Sequence, residues 1–249
     1  MNTKLIIAAA FILAGSTILT IDEASARTRK SSGSYQGRNT SGTFEKTATK
    51  NKGNFSSDTT WKNERGEGSH HAERKWDKKS GTGSYSSSTT TAKGKTTSRS
   101  GTVTKTGKGS WEQEGTITGP KGKTTTVDRT STKNDDGSRS VSTTYTGENG
   151  KTLDVNKTIT HEDGTRTVTG DYSTSTGKSG TFNGASKIED GKVVTDRSLT
   201  NQDGKTWSQE ATVDRDGNTI TRDVTNTNPD GKSRSFNESI TVNKVIIEK

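Results

Sequence analysis

Gly-Lys followed by Thr or Ser occurs six times in this chain, at Gly94-Lys95, Gly122-Lys123, Gly150-Lys151, Gly177-Lys178, Gly204-Lys205 and Gly231-Lys232. The pair invites a phosphate-binding loop, but such a loop needs a glycine five positions before the Gly-Lys. Thr89, Ile117, Tyr145, Tyr172, Leu199 and Asn226 stand there instead, so the six pairs read as turns. His70-His71, with Glu73 close by, is the only histidine cluster. Adjacent strand residues face opposite sides, so these two imidazoles do not converge on a metal. Asp214-Arg215-Asp216-Gly217-Asn218 begins like a calcium loop, but Thr219 occupies the place of its glycine and no glutamate stands twelfth. Glu112 and Glu114 share one strand face beside Trp111 and could act as a glycosidase pair; a charged solvent face is the simpler reading. No nucleophile stands with a base in a recognisable setting. The sequence assigns no catalytic residue, metal ligand or cofactor, and we expect a non-enzymatic protein.

Charge offers a different chemistry. Residues 27–110 hold 18 Lys/Arg against 6 Asp/Glu, whereas residues 111–249 hold 19 against 21. The basic half suits a polyanion such as acidic polysaccharide or nucleic acid. Its candidate contacts are Arg27, Arg29, Lys30, Arg74, Lys75, Lys78 and Lys79. Aromatic residues in this half follow a glycine by two positions, as in Gly33-Ser34-Tyr35, Gly42-Thr43-Phe44, Gly53-Asn54-Phe55, Gly83-Ser84-Tyr85 and Gly109-Ser110-Trp111. Such rings can anchor hairpins by cross-strand packing or stack on bases and sugars. With no aromatic cluster evident along the chain, the packing role leads.

The elements that must position these residues begin after Ala26. Lys4, the apolar run Leu5 to Leu19 and Ala24-Ser25-Ala26 have the layout of a cleaved secretory signal. The run is shorter than the ~20 apolar residues of a spanning helix, and no later segment approaches one. The expected location is therefore secreted, periplasmic or cell-surface. With no cysteine, the exported chain has neither disulfides nor thiol ligands. Leu, Ile, Val and Phe number 24 in residues 27–249. That is about 11%, below the ~20% at which globular cores become scarce, so backbone pairing must supply most of the order.

The Gly-Lys starts recur every 27 or 28 residues, and Asp136-Gly137, Asp163-Gly164, Asp190-Gly191 and Asp216-Gly217 lie midway between them. A fixed period of this size marks a repeat architecture. Between turns, residues alternate, as in Leu153, Val155 and Ile159, and Thr and Val suit a pleated surface. Counting from each Gly-Lys glycine, the tenth residues are Val103, Ser131, Ile159, Ser186, Val213 and Ile240. The sixth are Arg99, Val127, Val155, Phe182, Gln209 and Phe236. One face is thus thinly apolar and the other is Thr, Ser and charge.

The sequence predicts an all-β fold, a repetitive antiparallel hairpin meander with two strands per 27–28-residue repeat. The Gly-Lys and Asp-Gly turns would lie on opposite edges. Such a sheet can stay a ribbon, stack on itself or curl into a barrel; a β-solenoid with one coil per repeat is the alternative. The apolar face is too sparse for the lipid-facing band of a membrane barrel. The expected organisation is a signal over residues 1–26, a basic, irregular and partly disordered β-repeat region over 27–93, and a regular β-repeat domain over 94–249. Two functions follow. The first is a structural or adhesive role at the cell surface or in extracellular matrix, with self-association through free sheet edges. The second is polyanion binding by the basic half.

Overall fold

The computed structural model describes residues 27–248, so the proposed signal over 1–26 lies outside the described residues. Sixteen antiparallel strands run in chain order: β1 (Arg27–Gly37), β2 (Thr40–Asn51), β3 (Asn54–Asn63), β4 (Gly66–Asp77), β5 (Thr82–Thr90), β6 (Thr96–Gly107), β7 (Ser110–Thr118) and β8 (Thr124–Lys133). They continue as β9 (Arg139–Gly147), β10 (Thr152–Glu162), β11 (Thr165–Thr174), β12 (Ser179–Glu189), β13 (Lys192–Asn201), β14 (Thr206–Asp216), β15 (Thr219–Thr227) and β16 (Ser233–Glu248). Each pairs with its chain neighbours, and β1 pairs with β16 to close a barrel. The meander is therefore the fold, closure is the form it takes, and no strand among the described residues is left as an open edge. No helix among them is long and apolar enough to cross a membrane.

Residues 27–93 supply β1 to most of the β5–β6 turn in the same ladder. The sequence expectation of an irregular, partly disordered region followed looser turn spacing there. The register shows why the spacing is looser. The first three turns, at Arg38-Asn39, Lys52-Gly53 and Glu64-Arg65, are all tight two-residue turns, while Asp77 and Gly81 close a longer one and the five-residue Gly-Lys turns begin only at Thr91.

Turn chemistry divides the two rims. At one rim, hydrogen bonds from Thr91, Gly119, Gly147, Thr174, Asn201 and Asn228 N–H to the carbonyls of Lys95, Lys123, Lys151, Lys178, Lys205 and Lys232 close the six Gly-Lys turns. At the other lie the tight turns Asp163-Gly164 and Asp190-Gly191, in which both residues have positive φ (48° and 73°, 49° and 78°). These are the type I′ values that match strand twist. The turn expected at Asp216-Gly217 sits one residue later, at Gly217-Asn218, because Asp216 pairs with Thr219.

The register also assigns the faces. The face carrying all the tenth and sixth residues named above is the more enclosed one, with Val127, Val141, Ala211 and Val224 its buried apolar residues. In odd-numbered strands these residues share the parity of Thr91 and Gly119, whose backbone groups pair with the following strand. Successive ladders drift in one direction by about 20 residues around the circuit, and barrel strands tilt right-handed. Together these put the enclosed parity inside.

Sixteen strands about 4.8 Å apart, tilted as barrels require, give a diameter of roughly 30 Å. Face-to-face packed sheets sit only about 10 Å apart, so side chains cannot fill this interior. Exposed inner residues agree: Leu199 and Trp207 retain 39% and 41% of their surface. The wall is held by its ladders and by thin inner packing, in keeping with the low apolar content.

Candidate functional site

Registers place every strand arginine on the inner face: Arg27, Arg29, Arg74, Arg99, Arg129, Arg139, Arg166, Arg197, Arg215, Arg222 and Arg234. Lys46, Lys50, Lys105, Lys133 and Lys157 join them. The strand carboxylates do the reverse. Among the described residues only Glu238 faces in, opposite Arg222 at 3.6 Å, while Glu45, Asp58, Glu114, Asp128, Asp171, Asp223 and the others face out. Charge is thus separated radially, through the thickness of one sheet.

Burial first, and like charge after it, leaves marks on the titration of these inner groups. Burial, then the Arg29 guanidinium, lowers the Lys46 ammonium below the usual lysine value. Burial, then Arg129 and Arg166, does the same to Lys157. Burial lowers Arg222 as well, and Glu238 opposes that shift. Burial, followed by Lys46 and His71, lowers His70, whose Nδ1 lies 2.8 Å from Thr89 Oγ1. An anion entering this wall would relieve repulsion that the folded chain otherwise retains.

All Phe, Tyr and Trp rings of the described residues share this inner face. Most meet a glycine directly across the ladder: Phe44 with Gly33, Tyr35 with Gly42, Trp61 with Gly68, Trp76 with Gly83, Tyr85 with Gly101, Tyr172 with Gly180 and Phe182 with Gly170. A Cβ at Gly68 would overlap the Trp61 indole, and one at Gly83 would come within 2.7 Å of Trp76 Cε3. Two tyrosines reach over their glycine to the second strand beyond. Asn63 Nδ2 donates to Tyr35 Oη at 2.8 Å, and Gln113 Nε2 donates to Tyr85 Oη at 2.8 Å. These rings therefore lie along the wall and leave a face toward the interior. Trp76 and Trp111 meet edge to face at 5.3 Å between centroids, and the Arg99 guanidinium sits 5.6 Å above the Tyr85 ring.

The residues singled out from the sequence are dispersed by the fold. Arg27, Arg29 and Arg74 face the interior. Lys30 and Lys75 face out, where Lys30 Nζ donates to Glu248 Oε1 at 2.7 Å and Lys75 lies 3.0 Å from Glu73. Lys78 and Lys79 stand in the β4–β5 turn at the rim. The seven do not form one patch. His70 faces in and His71 faces out, 2.7 Å from Asp58. Glu112 and Glu114 lie on the opposite face from Trp111, so ring and carboxylates do not share a site. Asp214 pairs with Lys192 at 3.0 Å across the ladder. A shallow open hollow on the outer face is lined by Thr130, Ser142, Asn156, Thr158, Thr169 and Asp171; it gathers hydroxyls without a nucleophile–base pair.

Sequence reasoning missed the inner arginines of the second half because it summed charge along the chain. The usable signal was parity: Arg99 already stands among the sixth-position residues of the apolar face. No protein-family model matches the chain, and no curated protein matches it.

Proposed function

We propose that this chain is an exported, non-enzymatic barrel that binds a linear polyanion, acidic polysaccharide or nucleic acid, along its inner wall. The observation that carries the reading is the radial separation of charge, with all strand arginines inside and all strand carboxylates but Glu238 outside. Arginine presents a planar fork of donors that matches phosphate, sulfate or carboxylate oxygens, and it is weakly hydrated, so it suits a partly enclosed anion site. The acidic outer face repels the same ligand and leaves the mouths as its route in. Lysines at the Gly-Lys rim would steer it there. Export rests on the signal layout of residues 1–26. The outer face of Thr, Ser, Asp, Glu and Lys is the opposite of the apolar band that lipid requires, which favours a place in an aqueous space outside the cytosol.

A structural or adhesive role would then follow from capture of matrix polymers. Self-association by strand addition loses its basis in a closed sheet, since closure removes the edges it needs.

The test is titration with a polyuronate and with an oligonucleotide over a series of salt concentrations. Polyanion binding predicts a log-affinity that falls linearly with log salt. Absence of binding to either polymer at low salt would overturn the proposal.

A further inference from the structure

The inner wall is not uniform around the barrel, and its β1–β7 sector points to a ligand class. Aliphatic residues there are scarce, while Tyr35, Phe44, Phe55, Trp61, Trp76, Tyr85 and Trp111 all face in. Among them stand Arg29, Lys46, Arg74 and Arg99, and this sector of the inner face holds no carboxylate. Five of the rings, Tyr35, Phe44, Trp61, Trp76 and Tyr85, lie over a paired glycine and present a π-face rather than an edge. The glycines hold that posture open, since a side chain at Gly68 or Gly83 would lift the indole off the wall.

Resting on the polyanion reading above, we infer that this sector binds single-stranded nucleic acid, with bases stacking on Trp61 and Trp76 and phosphates meeting Arg29, Lys46, Arg74 and Arg99. A charged track with interleaved aromatic faces is the arrangement that holds single strands without reading their sequence. Lysine and arginine alone would serve any polyanion; the flat rings distinguish a chain of planar units from one without them. An acidic polysaccharide, which has no aromatic face, uses only the charges.

The full chain is titrated with a 15-nucleotide oligothymidylate, an abasic oligomer with the same phosphates, inorganic polyphosphate and a polyuronate. Tryptophan fluorescence and anisotropy are followed together. The inference expects the oligothymidylate to quench tryptophan emission and to bind about 10-fold or more tighter than its abasic counterpart. The variant Trp76→Leu is expected to lose that advantage while binding polyphosphate within about twofold of the native chain; its far-UV circular dichroism reports whether the barrel is intact. Because the abasic comparison uses the native chain, the test survives a variant that fails to fold. Equal affinity for the two oligomers without quenching, or binding of the polyuronate but not of the oligothymidylate, overturns the stacking inference and leaves polyanion binding standing. No binding of any of the four removes both.

Discussion

Along β3 the outward residues include Ser56, Asp58, Thr60 and Lys62, and the inward ones Phe55, Ser57, Thr59 and Trp61. Along β8 the outward residues include Thr126, Asp128 and Thr130, and the inward ones Thr125, Val127, Arg129 and Ser131. One backbone thus carries two chemistries with a period of two residues. The outer face pairs its lysines with carboxylates, as in Lys192 with Asp214 and Lys62 with Glu67 at 3.2 Å. Such exposed pairs add little stability. The inner face gathers cations against almost no counter-charge, an arrangement that costs stability in the free protein and is useful if an anion completes it. The difference teaches that the apolar residues and the arginines serve one wall together: the rings and valines hold it, and the guanidiniums give it a ligand.

The comparison breaks most sharply on charge. Replacing Arg99, Arg129 and Arg166 with Gln is expected to lower polyanion affinity on the order of 100-fold and to reduce the slope of log affinity against log salt by about 3, one per lost phosphate contact. The outer triple Lys62, Lys75 and Lys187 to Gln should leave that slope nearly unchanged. Equal effects from the two triples would show that the ligand does not distinguish the faces.

Packing separates the faces next. Val224 is 1% exposed, and Val224→Ala is expected to cost about 2 kcal/mol in denaturant unfolding. Ile246→Ala, on the outer parity, should stay within about 0.5 kcal/mol. Gly68→Ala sharpens the role of the ring–glycine pairs. The new Cβ overlaps Trp61, and a loss of about 1.5 kcal/mol with a shifted tryptophan emission is expected.

A smaller effect concerns pH. The folded wall disfavours protonated His70, so its folded value lies below that of the unfolded chain. The associated stability is present above the ordinary histidine value near 6.5 and is lost progressively as pH falls from there through the lower folded value. The melting temperature of the native chain should therefore drop more between pH 7.5 and 5.5, taken as about one unit either side of that value, than that of His70→Gln. The smallest effect is expected at the exposed Lys192–Asp214 pair, where Lys192→Ala should leave the melting temperature unchanged within error.

Much of the architecture was legible in the residues. Glycine at fixed spacing marked the turns, and Asp163-Gly164 forms the tight turn its dipeptide implies. Alternation at Leu153, Val155 and Ile159 marked both the strand and its enclosed face. The first five strands were harder to read because Thr and Ser fill their inner positions, as at Ser57 and Thr59, so alternation in hydrophobicity fades while the pleat persists. The candidate site was read only in part. Arg27, Arg29 and Arg74 were among the basic residues chosen, but Lys30 and Lys75 belong to the other face, and Arg129, Arg166 and Arg222 were passed over because their half of the chain is nearly neutral.

By itself the sequence determined the repeat, the strands, the division of Gly-Lys and Asp-Gly turns between two rims, and the parity of each side chain within its strand. These are local properties, set by glycine φ preferences and the two-residue pleat. Tertiary structure alone decided that β1 meets β16 and that arginines distant in sequence share one concave wall. Closure depends on strand tilt and register drift accumulated over sixteen ladders, a sum to which every turn contributes and which no single turn reveals.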